Sequence, residues 1–345
     1  MTYKKPARLK QGDKVAIVSP SWGGPAVFPN VYENGLKILR EWGFEIVECP
    51  TARMDADFLR ANPQVRAKDI NDAFANPEIK AIITSIGGDD SVRTLPFLDK
   101  QVIAENPKIV MGYSDTSTLH LFCNLQGVVT FYGPAIMAGF SQMESLPESF
   151  KSHVYEMLCK PENQYEYKPY EQYCDGYLDW SKIENLGKVK PLKHTDGWHW
   201  IQGNSVVRGQ LFGGCIEVLE MMKGTEFWPV KDFWKGKILF LETSEEKPPV
   251  SYVGHVLRNY GMLGVLDQIA GLIFSRARDY LDIEKKDLEE KIVEVVTGEC
   301  GRADMPIVTN FDVGHTDPQL VMPLGIKAEI NCQDKKIELV ESWLQ

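Results

Sequence analysis

The sequence lacks the patterns that mark a disulfide-stapled, metal-binding or membrane-spanning protein. Its seven cysteines are scattered, with no Cys-x-x-Cys pair and no His-rich segment, so neither a disulfide framework nor a zinc site is expected. No apolar run approaches the roughly 20 residues that a membrane-spanning helix needs. The basic N-terminus is not followed by the apolar stretch of a signal peptide, and we therefore expect a cytoplasmic protein that contacts no membrane.

Positive charge is also scarce. The chain has 38 Lys and Arg against 48 Asp and Glu, a net charge of -10, whereas binding to a nucleic-acid backbone needs a basic face. Neither a Gly-x-Gly-x-x-Gly nor a Walker pattern is present, so we expect no nucleotide cofactor and no nucleic-acid partner. Hydrophobic residues at 43% and charged residues at 25% are typical of a globular protein, and 345 residues are enough for two domains.

Strand and helix signals alternate in the first half of the chain. Short β-branched runs at 14–20, 44–48, 79–86 and 108–111 are separated by helix-like segments at 31–42, 65–74 and 91–98. This alternation predicts a parallel sheet with helices on both faces, whose ligands bind at the carboxyl ends of the strands.

The remaining chain predicts two further parts. Residues 161–204 are rich in Tyr and Trp without clean periodicity, which indicates a linker and a surface excursion. Residues 205–345 predict a smaller, mixed α/β domain with a strand, a Gly-Gly turn and a helix over 206–222 and a hairpin over 326–340. We therefore expect an α/β protein with an N-terminal domain of residues 1–160, this linker, and a C-terminal domain.

A nucleophilic serine is the most informative candidate. The run Lys108 to Thr116 leads from an apolar strand through Gly-x-Ser into a helix-like segment, and such a turn exposes the Oγ of Ser114 above a sheet edge. Thr116 stands where the second Gly of Gly-x-Ser-x-Gly would be. The alternative is an ordinary strand end at which Ser114 or Asp115 caps the next helix.

A serine nucleophile needs a base and a group that orients the base. His315 follows a strand in a polar loop containing Gly and Pro, which suits a base, although a plain loop histidine fits the same pattern. Glu242 ends an apolar strand and is a candidate orienting carboxylate, whereas its neighbours Glu245 and Glu246 are interpreted as a solvated charge cluster. The pair Gly87-Gly88 permits close backbone approach to a ligand, as in an oxyanion hole or a phosphate-binding loop.

In combination, these motifs resemble the serine LD-carboxypeptidase family, including its microcin C immunity branch. The resemblance spans nearly the whole chain. It rests on the segments 15–21, 87–88, 108–116, 213–214, 223–225, 239–242, 314–315 and 323–325. It implies a flavodoxin-like or glutamine-amidotransferase-like N-terminal domain, a swivelling-type C-terminal domain and a homodimer.

The resemblance also implies the roles of individual residues. Ser114 would be the nucleophile, His315 the base and Glu242 its orienting partner, with the N–H groups of Gly88 and Asp115 as the oxyanion hole and no metal or cofactor. Gly87 would lie at the substrate. Cys215 stands where family members often have Asn, which changes any substrate contact made from that position.

The family contains two substrate classes. One is murein tetrapeptide, from which a terminal D-amino acid is removed, and the other is a carboxamide that joins a peptidyl aspartate to a modified nucleotide. The aromatic segment favours the second class, because Trp180, Trp198 or Trp200 could stack on a nucleobase, an interaction worth about 1–3 kcal/mol per base. The alternatives are that these rings only pack an interface, and that the chain is a ligand-binding protein without a working triad.

Overall fold

The fold is built from two sheets that successive parts of the chain form. The computed structural model describes residues 2–345. The strands in chain order are β1 (Lys14–Val18), β2 (Glu45–Glu48), β3 (Ile79–Thr84), β4 (Ile109–Gly112), β5 (Thr130–Tyr132), β6 (Tyr165–Glu166), β7 (Gln172–Tyr173), β8 (Lys193–His194), β9 (His199–Gln202), β10 (Val206–Cys215), β11 (Ile238–Glu242), β12 (Gly271–Ser275), β13 (Ile307–Phe311), β14 (Met322–Leu324), β15 (Lys327–Asn331) and β16 (Lys336–Leu339).

Helices connect most of these strands. The α-helices are α1 (Gly24–Val27), α2 (Pro29–Glu41), α3 (Ala56–Ala61), α4 (Pro63–Ala75), α5 (Lys100–Glu105), α6 (Ser117–Leu125), α7 (Glu148–Cys159), α8 (Ile216–Met222), α9 (Val250–Met262), α10 (Val265–Gln268) and α11 (Asp282–Val293). Short 3-10 turns include Ser91–Phe97 and Ser114–Thr116, and α11 runs on into a π-helical turn, Glu294–Glu299. None of the helices in the described chain has the length and apolar character that crossing a bilayer requires.

The first sheet has the strand order β14-β5-β4-β3-β1-β2. Strands β1 to β5 pair in parallel, and their residues are buried wherever helices cover both faces, as in the fully buried β4. Strand β14 comes from the far end of the chain and pairs antiparallel with β5. The predicted α/β class with a parallel N-terminal sheet is confirmed.

The second sheet has the order β6-β16-β15-β10-β11-β12-β13-β9. Its central strands β10 to β13 are parallel, and the flanking pairs are antiparallel, including the predicted hairpin β15–β16. Because β14 belongs to the first sheet while its neighbours in the chain belong to the second, the two sheets are tied together next to the segment that carries His315. The exact domain bounds stay a prediction.

Three local predictions differ from the structure. The segment 91–98 forms a 3-10 turn instead of an α-helix, because Pro96 lies inside it and lacks an N–H. Gly213 and Gly214 continue strand β10 instead of forming a turn, since a Cβ at Gly213 would lie 1.9 Å from the Phe240 oxygen of the neighbouring strand. Only a glycine allows these two strands to approach so closely.

The aromatic segment is also more than a surface excursion. Its strand β9 pairs with β13 at the edge of the second sheet, and Tyr167 and Cys174 are almost fully buried in the larger apolar core. Paired tyrosines and tryptophans supply apolar area without the periodicity of a regular element, which is why the pattern indicated a linker.

Candidate active site

The turn after β4 holds Ser114 in a strained backbone conformation. Ser114 has a φ of 60°, a left-handed value that costs free energy for a residue with a Cβ. The chain passes directly from β4 into the 3-10 turn Ser114–Thr116 and then into α6, which is the predicted strand-to-helix turn. The backbone N–H of Ser114 donates a hydrogen bond of 3.0 Å to the hydroxyl of Tyr132 on β5. These contacts fix the turn so that the serine side chain faces the space above the sheet.

Glu242 and His315 form a buried pair. Strand β11 ends at Glu242, which has no exposed surface, and its Oε2 lies 2.7 Å from His315 Nδ1. The other oxygen, Oε1, accepts a hydrogen bond of 2.5 Å from Tyr132. Gly314 has a φ of 90°, and a Cβ there would lie 2.4 Å from Glu242 Oε2, so a glycine is required for the loop to bring His315 against the carboxylate. Tyr132 therefore connects the backbone of Ser114 to the carboxylate of the pair.

The second nitrogen of His315 is also occupied. His315 Nε2 lies 2.9 Å from Glu245 Oε2, and the Tyr113 ring lies edge-on to the imidazole with centroids 5.0 Å apart. Within residues 2–345, no hydrogen bond joins Ser114 Oγ to His315, although both residues line one cavity of about 470 Å³. The interpretation of Glu245 as part of a solvated cluster is therefore wrong, because its carboxylate contacts the candidate base.

Burial and charge act on the pair in opposite directions. Burial tends to lower the pKa of His315, but the two carboxylates, Glu242 and Glu245, outweigh it and raise this pKa to about 10. Burial raises the pKa of Glu242 even though His315 and Tyr132 stabilise its charged form. The hydrogen bond from His315 lowers the pKa of Glu245 to about 2. In this arrangement the imidazole is a cation held between two carboxylates.

The loop with Gly87 and Gly88 lies beside the nucleophile. A Cβ on Gly87 would lie 3.0 Å from Ser114 Oγ, and Gly88 has a φ of 147° with its Cα packed against Ser21. In the described chain, the backbone N–H groups of Gly88 and Asp115 donate to no protein acceptor, so both are free to face an oxyanion. The Asp115 carboxylate is buried and accepts from the N–H of Ser91 at 2.8 Å, which anchors the turn.

Aromatic and charged groups line the rest of the cavity. Trp180 stacks on Tyr177 with ring centroids 5.5 Å apart, and the indole N–H of Trp180 has no partner among the described residues. The full lining is Trp22, Arg60, Ile86, Gly87, Gly88, Asp89, Tyr113, Ser114, Ala138, Tyr177, Trp180, Glu245, Glu246, Arg278 and His315. The cavity thus joins the nucleophile and base to a flat aromatic wall and two arginines, Arg60 and Arg278.

Other sequence candidates lie elsewhere. Trp198 donates from its indole N–H to Asp312 at 2.8 Å, and Trp200 lies in β9, so neither ring lines this cavity. Cys215 is fully buried under the nucleophile turn, where its N–H donates to Ser117 Oγ at 3.1 Å. This placement gives Cys215 a structural role in place of the predicted substrate contact.

Sequence reasoning missed three residues of the site. In the sequence, Tyr132 resembles an ordinary core residue of a buried strand. No local pattern indicates that its hydroxyl connects Ser114 to Glu242. Arg278 and Trp22 each follow a parallel strand of the sheets, and their position beyond a strand end was the available signal.

A two-domain α/β fold with a serine on a strained strand-to-helix turn and a buried Glu–His pair defines a hydrolase of the serine peptidase type. The family model described as "LD-carboxypeptidase N-terminal domain" matches residues 15–133, and the model described as "LD-carboxypeptidase C-terminal domain" matches residues 208–330. The chain belongs to the LD-carboxypeptidase family, and it is a hydrolase of the serine carboxypeptidase type.

Named relatives match over more than nine tenths of their length. The microcin C7 self-immunity protein MccF of Escherichia coli is 30% identical over 98% of this chain and 96% of its own length. A Bacillus subtilis protein named "Probable murein peptide carboxypeptidase" is 25% identical over 96% of this chain and 92% of its own. The chain is thus similar both to a protein named for self-immunity to microcin C7 and to a protein named for murein peptide.

Solved structures of similar proteins have the same fold as this chain. The structure of MccF in complex with aspartyl sulfamoyl adenosine superposes with a TM-score of 0.87 at 28% identity, covering 99% of this chain and 100% of that chain. An MccF-like protein from Streptococcus pneumoniae in complex with AMP gives a TM-score of 0.85 at 27% identity, covering 95% and 99%. The fold expected from the resemblance is the fold of these proteins.

Proposed function

We propose that this chain hydrolyses an amide bond with a Ser114–His315–Glu242 triad. Ser114 Oγ attacks the scissile carbonyl, His315 takes the serine proton and passes it to the leaving amine, and Glu242 holds the imidazole through Nδ1. The observation that carries this proposal is the 2.7 Å contact between buried Glu242 and His315 in the same cavity as a serine with positive φ. Water then releases the acyl group from Ser114.

The negative charge that develops on the scissile carbonyl oxygen is stabilised by two backbone donors. The N–H groups of Gly88 and Asp115 are the proposed oxyanion hole, and removal of one such donor typically costs about 100- to 1,000-fold in rate. Because backbone donors and an imidazole supply all these steps, the mechanism needs no metal or cofactor.

The proposed substrate is a carboxamide between a peptidyl aspartate and a nucleotide. Trp180, stacked on Tyr177 in the cavity wall, offers a flat face for a nucleobase. Structures similar to this chain hold aspartyl sulfamoyl adenosine and AMP, which supports a nucleotide at the corresponding place here. The proposal includes a homodimer that acts in the cytoplasm, as the family resemblance implies.

Murein tetrapeptide is the second candidate substrate. The Arg278 guanidinium lines the cavity and, apart from a 3.3 Å contact with Asp279, makes no hydrogen bond in residues 2–345, so it is available to a terminal carboxylate. A carboxypeptidase requires recognition of that group. Arg278 is therefore the observation that favours this alternative.

The test compares both substrates with matched tryptophan variants. Trp180→Ala should reduce kcat/KM for an aspartyl-nucleotide substrate far more than for an acyl-peptide without the base, because the lost contact lies outside the reacting centre. Trp200→Ala, in an edge strand away from the cavity, is the control and should change neither. Equal losses on both substrates would make Trp180 a structural residue. Cleavage of murein tetrapeptide alone would select the second candidate, and binding without turnover would identify a ligand-binding protein.

A further inference from the structure

Glu245 occupies the face of His315 that the proposed reaction uses. Its Oε2 lies 2.9 Å from His315 Nε2, while Nδ1 is already bonded to Glu242. A triad base must receive the serine proton through the nitrogen that the orienting carboxylate leaves free. In this site, that nitrogen is Nε2, and a carboxylate already holds it.

The two carboxylates differ in their freedom to move. Glu242 has no exposed side-chain surface and is bonded to Tyr132 as well as to His315. The Glu245 side chain is 53% exposed and belongs to the loop after β11, where it also lines the cavity. Because about half of its side chain is in contact with water, the Glu245 carboxylate can exchange His315 for solvent, whereas the enclosed Glu242 carboxylate cannot.

We propose that Glu245 is a positioning residue that closes the resting site by holding His315 Nε2, so that Ser114 reaches its base only after this carboxylate has moved aside. The inference rests on the proposed function, since it assigns His315 the role of base. It adds a residue that the triad does not contain, and it makes displacement of Glu245 part of substrate binding.

The charged groups around His315 are consistent with this role. Glu242 faces the imidazole from β11 and Glu245 from the loop that follows, while Tyr113 packs against the ring from the nucleophile turn. Asp317 and Arg278 act at longer range, Asp317 on His315 and Arg278 on Glu245. Of these groups, only Glu245 both contacts Nε2 and is half exposed.

The first experiment needs no substrate. In the full chain, NMR titration of ring-labelled histidines measures the pKa of His315, assigned with His315→Asn. Glu245→Gln should lower this pKa by about 1–3 units, because a carboxylate at this distance stabilises the imidazolium by that amount. Glu246→Gln is the control, since Glu246 lines the same cavity and makes no contact with His315, and it should leave this pKa unchanged. An unchanged pKa in Glu245→Gln would overturn the inference.

The second experiment measures access of Ser114 to its base. A fluorophosphonate probe labels activated serines, and its rate of reaction with Ser114 is followed from pH 6 to pH 10. Glu245→Gln and Glu245→Ala should both be labelled faster than wild type at pH 7, by about tenfold for each unit of lowered pKa. At pH 10 the rates should lie within about twofold of one another, because the imidazole is then about half neutral in wild type and mostly neutral in the two variants. Slower labelling of both variants would make Glu245 part of the reactive site and would overturn the inference.

The two experiments separate this inference from the proposed function. If Ser114 is not labelled in any variant while Glu245→Gln lowers the pKa of His315, the proposed reaction fails and the Glu245 contact stands. If Ser114 is labelled with the same pH profile in wild type and Glu245→Gln, the triad stands and the inference fails.

Discussion

Removing the hydroxyl of Tyr132 should weaken both folding and catalysis. This oxygen accepts from the Ser114 N–H at 3.0 Å and donates to Glu242 Oε1 at 2.5 Å; Tyr132 and Glu242 are fully buried, and Ser114 is partly buried. In Tyr132→Phe, a partly buried N–H and a buried carboxylate oxygen each lose a partner. A buried group without a partner costs about 1–3 kcal/mol, so the Glu242 oxygen alone predicts a loss of about 1–3 kcal/mol in the free energy of unfolding, and the partly buried N–H adds a smaller loss.

The catalytic effect follows from the same two bonds. Without the Tyr132 hydroxyl, the nucleophile turn and the Glu242 carboxylate each lose an anchor, and we expect kcat/KM to fall by about 10- to 100-fold, or about 1.4–2.7 kcal/mol. Urea unfolding and steady-state kinetics measure the two effects. Tyr167→Phe is the control, because Tyr167 is also buried but makes a single bond, of 2.9 Å, to the Val321 carbonyl. Tyr167→Phe should lose less stability than Tyr132→Phe and should keep its full activity. If Tyr132→Phe unfolds and turns over like wild type, the bridge has no energetic role.

Three further predictions concern the glycines and the charge of the site. Gly314→Ala places a Cβ 2.4 Å from Glu242 Oε2, so turnover should be lost and the NMR-measured pKa of His315 should fall; an unchanged pKa would contradict the required close approach. Gly88→Val places its Cβ 2.2 Å from Ser21 Oγ and should lower kcat by about 100-fold or more in a protein that still folds, whereas unchanged kinetics would remove this loop from the mechanism. The pKa of His315 is raised to about 10 from an unfolded value near 6.5, so its contribution to stability is complete below about pH 6.5 and is lost as the pH rises to about 10. The difference in unfolding free energy between wild type and His315→Asn should shrink over that range, and a constant difference would refute the charged pair.

The sequence predicts the parts of the site that local patterns encode. The run Lys108 to Thr116 contains both the buried strand and the turn, so the position of Ser114 follows from the chain itself. Glu242 and His315 follow strands, and the carboxyl ends of strands are where ligands bind. Their contact arises in three dimensions, so the sequence could propose His315 and Glu242 as base and orienting carboxylate but could not show that they meet.

The remaining features depend on contacts between distant segments. Tyr132 reaches Glu242 across 110 positions, and nothing near Tyr132 in the sequence indicates that its hydroxyl is needed. Glu245 follows Glu242 within a run of charged residues, which is typical of a solvated loop. Its carboxylate meets His315 only because the loop around Gly314 returns to the end of β11.

The proposed mechanism depends on Ser114 being the nucleophile, and mapping the serine that reacts with a fluorophosphonate probe tests this assignment. Wild-type protein is labelled at neutral to alkaline pH, digested and analysed by mass spectrometry, with Ser114→Ala and His315→Ala treated in parallel. We expect one modified peptide that carries the phosphonyl group on Ser114, no labelling in Ser114→Ala, and strongly slowed labelling in His315→Ala. Modification of another serine, or equal labelling of Ser114→Ala, would contradict it.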